Sequence, residues 1–202
     1  MSENSTIKLP KPRLSGTLAV EQAMRRRRST RRFPDKPVSL KNLSQILWAA
    51  QGVTGAYNER TAPSAGGSFP LEMYVVAGNV TDLPAGVYKY EARVHELCWV
   101  SSGDIRAELA DAAIQQKCVS RCAVAIVLTA VYERTTAEFG ERGVQYVHME
   151  IGHVGQNIHL QAAALGLGSV AVGAFEDHAI STLLGLPKAE QPLYIIPLGQ
   201  LP

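Results

Sequence analysis

Arg25-Arg26-Arg27-Arg28-Ser29-Thr30-Arg31-Arg32-Phe33 is the stretch that organises the rest of the chain. Six of these nine residues carry a guanidinium, and a Ser-Thr pair lies among them. The whole sequence of 202 residues has a formal net charge of +2, so this is a local concentration of positive charge. Guanidinium forks and hydroxyls at this spacing suit a phosphate, which offers several oxygens to bidentate donors. Three readings stand: a solvated basic surface, a nucleic-acid contact, or a clamp for a phosphate-bearing cofactor. Nucleic-acid binding usually brings a more basic domain or interleaved aromatics, and +2 with 6% aromatic residues argues against it.

Upstream of the cluster, residues 1–13 hold two prolines and several polar residues and read as an extended N-terminal arm without a core of its own. Residues 14–202 read as one domain. Thr17 is expected to cap a helix that carries Leu18, Ala19, Ala23 and Met24 into the arginines. Downstream, Pro34 stops regular structure. Ser39 then reads as the N-cap of a helix over Leu40–Gln51, closed by Gly52, with Leu43, Ile46, Leu47 and Ala50 on its buried face.

From Gly52 to Gly67 the chain is rich in Gly, Thr, Ser, Pro and Asn, and a loop this long inside a compact domain is usually functional. Strands are expected at 72–77, 87–91, 94–100, 122–130, 169–172 and 193–198, and helices at 104–114, 144–165 and 178–184. Helices followed by strands interleaved with helices point to an α+β arrangement over a central sheet.

Composition closes off several function classes. With 46% hydrophobic and 19% charged residues the chain is ordinary globular material. No apolar run approaches a membrane span, and the polar Met1–Lys11 segment reads as no secretory signal. Three cysteines, Cys98, Cys118 and Cys122, argue against a disulfide framework and for a reducing compartment, the cytoplasm. Cys122 opens an apolar run and reads as a buried thiol. There is no dinucleotide-binding glycine fingerprint, no P-loop and no Gly-x-Ser-x-Gly. Glu150-x-x-His153 resembles half of a di-iron motif, but the second copy is missing and no metal is expected.

Two segments favour the cofactor reading. Pro63-Ser64-Ala65-Gly66-Gly67-Ser68-Phe69-Pro70 is small enough for its backbone to approach a planar ligand closely. In Gly166-Leu-Gly-Ser-Val-Ala-Val-Gly-Ala-Phe175 a strand ends at Gly173-Ala174, where free N–H groups can donate to a ring nitrogen that gains negative character on reduction. Phosphate clamp, small-residue loop and strand-end amides together describe a flavin mononucleotide site.

On Arg27-Arg28-Ser29-Thr30-Arg31-Arg32-Phe33, the Pro63–Pro70 loop, Gln156-Asn157, Gly166-Leu-Gly168, Val172-Gly-Ala-Phe175 and Pro197-Leu-Gly199, the chain resembles the FMN-dependent nitroreductase family. Gly86-Val-Tyr-Lys-Tyr90, Arg142-Gly143 and Glu150-x-Gly-His153 are similar to its SagB-type, azoline-oxidase-like branch. The resemblance implies an α+β nitroreductase-like fold, a mostly antiparallel central sheet flanked by helices, and a homodimer with FMN at the subunit interface. It implies that Arg27, Arg28, Ser29 and Arg31 hold the phosphate, ribityl chain and pyrimidine edge. Pro63, Ser64, Ala65, Gly66 and Gly67 would reach the flavin from the partner subunit, and Gly173 and Ala174 would face its N5. The implied chemistry is ping-pong hydride transfer from NAD(P)H through flavin N5 to a small acceptor, a nitroaromatic, a quinone or similar. No protein side chain is then needed as the catalytic group. Tyr57, Phe69, Tyr132 and Phe139 are candidates for the substrate face. No nucleic-acid or membrane partner is expected.

Two departures matter. Azoline-oxidising members carry a Lys-Tyr pair before Gly-x-Arg-Gly, whereas Glu138-Phe139 precedes Gly140-Glu-Arg-Gly143 here. Many relatives also continue beyond the position of Pro202 with a basic tail that adds a phosphate contact. The alternatives are therefore an azoline or peptide dehydrogenase of a biosynthetic cluster, and a flavin-binding or sensing protein without turnover.

Overall fold

The computed structural model describes residues 5–202. Its frame is a seven-stranded sheet in the order β1-β6-β5-β3-β7-β9-β8. The strands are β1 (Thr6–Lys8), β3 (Leu71–Ala77), β5 (Gly86–Glu91), β6 (Glu96–Ser102), β7 (Val124–Ala130), β8 (Leu167–Ser169) and β9 (Gln191–Gln200). Every neighbouring pair in it is antiparallel. A separate parallel pair joins β2 (Val38–Ser39) to β4 (Val80–Thr81).

The central strands are buried on both faces, which explains their continuous apolar runs. On β3, Leu71, Met73, Val75 and Ala77 face one core while Tyr74 and Val76 face the other. β7 alternates in the same way, with Val124, Ile126, Leu128 and Ala130 against Ala125 and Val127. One face is covered by α2 (Leu40–Gln51) and α6 (Arg142–Ala164). The other is covered by α3 (Arg106–Ala112), α4 (Lys117–Ser120) and α7 (Asp177–Leu184). Helix, sheet and helix thus form three layers. α1 (Val20–Arg26) and α5 (Glu133–Phe139) lie against α6.

The limits of α2 are those expected: the Ser39 hydroxyl accepts from the Asn42 N–H at 3.2 Å, and Gly52 ends the helix. Three expectations are corrected. α1 begins at Val20 with Ala19 as its N-cap and no side-chain cap, so Thr17 has no capping role. Only Ala23 of α1 is buried, so packing, not a cap, sets where this two-turn helix forms. The N-terminal arm is extended but does not lie outside the core: Thr6–Lys8 pair with Glu96–Cys98 and Leu9 is buried. The strand expected over 169–172 stops at Ser169, and a single bridge between Val172 and Ile195 carries the chain onward.

Candidate functional site

The arginine cluster sits where α1 ends and the chain turns onto the edge strand β8. Ser29 bridges Ser169 in parallel register, and the Thr30 N–H donates to the Ser169 carbonyl at 2.9 Å. The turn gets this close because β8 and β9 present glycines to it. A Cβ on Gly168 would fall 2.7 Å from Thr30 Cβ, and one on Gly199 would fall 2.7 Å from the Phe33 ring. Phe33 is itself buried in the core under α3, α4 and α7. The Gly-Leu-Gly and Pro-Leu-Gly signals of the sequence are therefore landing places for residues 29–33.

Beside this turn lies a cavity of about 360 Å³, lined by Arg26, Arg27, Arg28, Thr30, His159 and Gly166 among others. No carboxylate lines it among the described residues. Its charged and polar groups are almost all donors, which fits a phosphate. Arg28 has a second duty, since its Nη1 donates to the carbonyls of Arg25 (2.9 Å) and Arg27 (2.7 Å) and closes the end of α1. Arg31 is exposed and does not line the cavity. The chain runs from Ser169 on the cavity wall to Gly173 and Ala174, both exposed, and the N–H groups of those two residues have no acceptor among the described residues.

The Pro63–Gly67 loop is elsewhere on the surface. It closes as a 3-10 turn over Ala65–Gly67, with the Ser64 hydroxyl accepting from the Phe69 N–H at 2.9 Å. Gly66 has a positive φ of 57°, and a Cβ there would lie 2.6 Å from Glu138 Oε2 and 3.0 Å from the Phe139 ring. The loop is stapled from three sides. Asn157 Nδ2 donates to the Thr61 carbonyl (3.2 Å), the Thr61 hydroxyl to the Trp48 carbonyl (3.1 Å), and Ser68 and Thr135 pair their hydroxyls (2.8 Å).

Pro63, Ser64 and Ala65 share a cavity of about 230 Å³ with Tyr146, Met149, Glu150 and His153 of α6. Glu150 is 3% exposed and its Oε1 has no hydrogen-bond partner among the described residues. Burial pushes its carboxyl above the usual range, and Ser64, Gln51 and Arg60 draw it part of the way back. Arg60 donates to Gln51 Oε1 at 3.0 Å and stacks 4.3 Å over the Phe69 ring.

Of the expected cofactor residues, Arg27 and Arg28 line one cavity and Pro63, Ser64 and Ala65 another, with no lining residue in common; Ser29, Arg31, Gly66, Gly67, Gly173 and Ala174 line neither. Of the aromatic candidates, Phe139 packs edge-on to Tyr146 beside the loop, and Phe69 is held under Arg60. Tyr132 pairs its hydroxyl with His148 at 2.6 Å, and Tyr57 stands 90% exposed. Cys122 is buried, its thiol pushed up to about 12 by burial, so it is inert at neutral pH. Sequence reasoning missed the parts played by Ser169 and His159. The available signal was their position, one near the end of α6 and the other directly after the Gly-Leu-Gly that receives the arginine turn.

The chain belongs to the nitroreductase family, whose model matches residues 24–200. It is 42% identical over 183 residues to a nitroreductase-named protein of Methanocaldococcus jannaschii, covering 91% of each chain. It is 28% identical over 138 residues to the trifolitoxin-processing protein TfxB of Rhizobium leguminosarum bv. trifolii, covering 66% of this chain and 37% of that one. Among solved structures, a nitroreductase-named protein of Ralstonia eutropha JMP134 superposes with a TM-score of 0.87 at 28% identity, covering all of this chain and 92% of the other.

Proposed function

We propose that this protein is an FMN-dependent NAD(P)H oxidoreductase working as a homodimer. The observation that carries the reading is the donor-lined cavity at the end of α1, from which the chain leads within a few residues to the unpaired amides of Gly173 and Ala174. Bound FMN supplies the hydride chemistry, from NAD(P)H to a nitroaromatic, quinone or similar acceptor, in ping-pong order.

The protein's part is binding and electrostatics. Arg27, Ser29 and the remaining donors of Arg28 hold the phosphate and ribityl chain. Arg31 stabilises negative charge at the pyrimidine edge, and the Gly173 and Ala174 amides donate to the ring edge near N5. Pro63–Gly67 belongs to the partner's site, which accounts for two half-sites that do not meet within one chain. Phe139 and Phe69, beside that loop, belong to the substrate face. No helix of the described residues is long and apolar enough to cross a membrane. A cytoplasmic setting is part of the same proposal.

The deciding experiment is an anaerobic titration. Purified protein should be yellow and bleach on addition of NADH or NADPH; a colourless protein that takes up no added FMN would refute the reading. The match to a trifolitoxin-processing protein favours a second reading, action on a peptide, which the resemblance to the azoline-oxidase-like branch would make a dehydrogenation of azolines. Glu138 and Phe139 stand against it: Phe has no proton to exchange, and a carboxylate has the wrong charge to replace Lys. A peptide azoline assay with added FMN should yield no azole, and efficient azole formation would establish the second reading.

A further inference from the structure

We propose that His159 positions the phosphate, donating from Nε2 into the cavity at the end of α1 and making retention of a phosphorylated flavin proton-linked. The proposal rests on the FMN reading above and adds a residue that neither the arginine motif nor the strand-end amides include.

His159 lies on α6, one turn before that helix ends, and lines the same cavity as Arg26, Arg27 and Arg28. Its Nδ1 is 2.7 Å from the Ser169 hydroxyl, and Ser169 is 3% exposed. That hydroxyl fixes the ring. When it donates to a bare Nδ1 the ring proton sits on Nε2, and when it accepts from the imidazolium Nδ1–H both nitrogens are protonated; in these two states Nε2 carries a proton to give, and the neutral Nδ1–H tautomer does not. Nε2 has no partner within the chain among the described residues. The backbone of the same Ser169 holds Ser29 and Thr30, so one residue sets both the arginine turn and the imidazole.

The charged groups facing the ring are all positive: Arg26 and Arg27 from the end of α1 and Arg28 just after it. Burial, and then Arg27, hold His159 below the ordinary histidine range. A phosphate dianion placed among these groups reverses the balance and raises it again, so binding takes up a proton near neutrality. Affinity for a phosphorylated ligand therefore rises as pH falls. Affinity for the same ring without a phosphate does not.

The test uses apoprotein of the wild type, His159→Leu and His159→Gln, titrated with FMN and with riboflavin from about pH 6 to about pH 8 by flavin fluorescence. The flavin phosphate has its own ionisation near pH 6, which acts on all three proteins alike, so the difference between them is the readout. In the wild type, the dissociation constant for FMN should rise about fivefold more across this range than in either variant. At the acidic end His159→Leu should bind FMN about tenfold more weakly while its riboflavin affinity is unchanged. His159→Gln keeps an N–H donor without an exchangeable charge. It should bind FMN better than His159→Leu but with the same pH slope as that variant. Equal FMN affinities and equal pH slopes in all three would overturn the proposal and leave the FMN reading intact. Parallel loss of FMN and riboflavin in His159→Leu, not restored in His159→Gln, would also overturn it, marking His159 as a packing residue. A wild type that binds neither flavin would overturn both.

Discussion

Glu150 and Arg27 show how single side chains set the behaviour of the two half-sites. Glu150 is raised by burial, so its folded form binds a proton more readily than its unfolded form. The sign follows from linkage: the native state is favoured below the ordinary glutamate range, and that advantage is lost as pH rises through the raised value. Glu150→Gln keeps the neutral shape and removes the titration. Urea midpoints should show the wild type losing stability relative to Glu150→Gln between about pH 5 and about pH 8, and parallel profiles would contradict the assignment. Arg27 lines the cavity at the end of α1 and its guanidinium has no salt bridge within the described residues. Arg27→Ala should weaken FMN binding by roughly 1.5–3 kcal/mol, the scale of a charge-assisted hydrogen bond. Equilibrium dialysis reads this directly, with riboflavin as the control.

At the scale of elements, what could be read in advance was whatever is decided locally. α2 announces both its ends, Ser39 as cap and Gly52 as stop, and Ser39→Ala should cost about 1 kcal/mol in thermal or urea unfolding. β3 and β7 are legible because apolar runs buried on two faces leave no polar alternation to misread. α5 was not legible: it is polar and buries only Thr135. β1 was not, because three residues, of which only Ile7 packs on the core, are too short a run to show a strand period. The candidate site divides in the same way. The arginines, the small-residue loop and the glycine-bearing 166–175 segment are visible as composition. The Ser64, Glu150, Gln51 and Arg60 group is assembled from three segments, the end of α2, the 52–67 loop and α6, and no local pattern announces the meeting of α6 with the other two. Gly168 combines both kinds of information. Its spacing is visible, but its purpose is the approach of Thr30. Gly168→Ala should push the arginine turn off β8 and lower FMN affinity far more than riboflavin affinity, which the same fluorescence titration measures.

For the whole molecule the main fact is separation. Arg27 and Ser64 line cavities with no common residue, while Met149 on α6 and Val20 and Met24 on α1 leave apolar surface exposed. A site completed by a second copy predicts that flavin retention follows association. In a dilution series monitored by sedimentation, FMN should remain with the dimer and be lost as monomer appears. A monomer that keeps its FMN would place the whole site within one chain.

The Ser29–Ser169 bridge has a consequence for how the molecule ages in solution. β8 is the last strand of the sheet, and its outer side would otherwise be a row of open backbone groups ready to recruit a stranger's strand. The turn proposed to hold the flavin phosphate is also the cover on that open flank. On the proposed FMN reading, a molecule without flavin holds its cover less firmly, so storage without flavin should promote self-adhesion from this end of the sheet, and replenishing the flavin should suppress it.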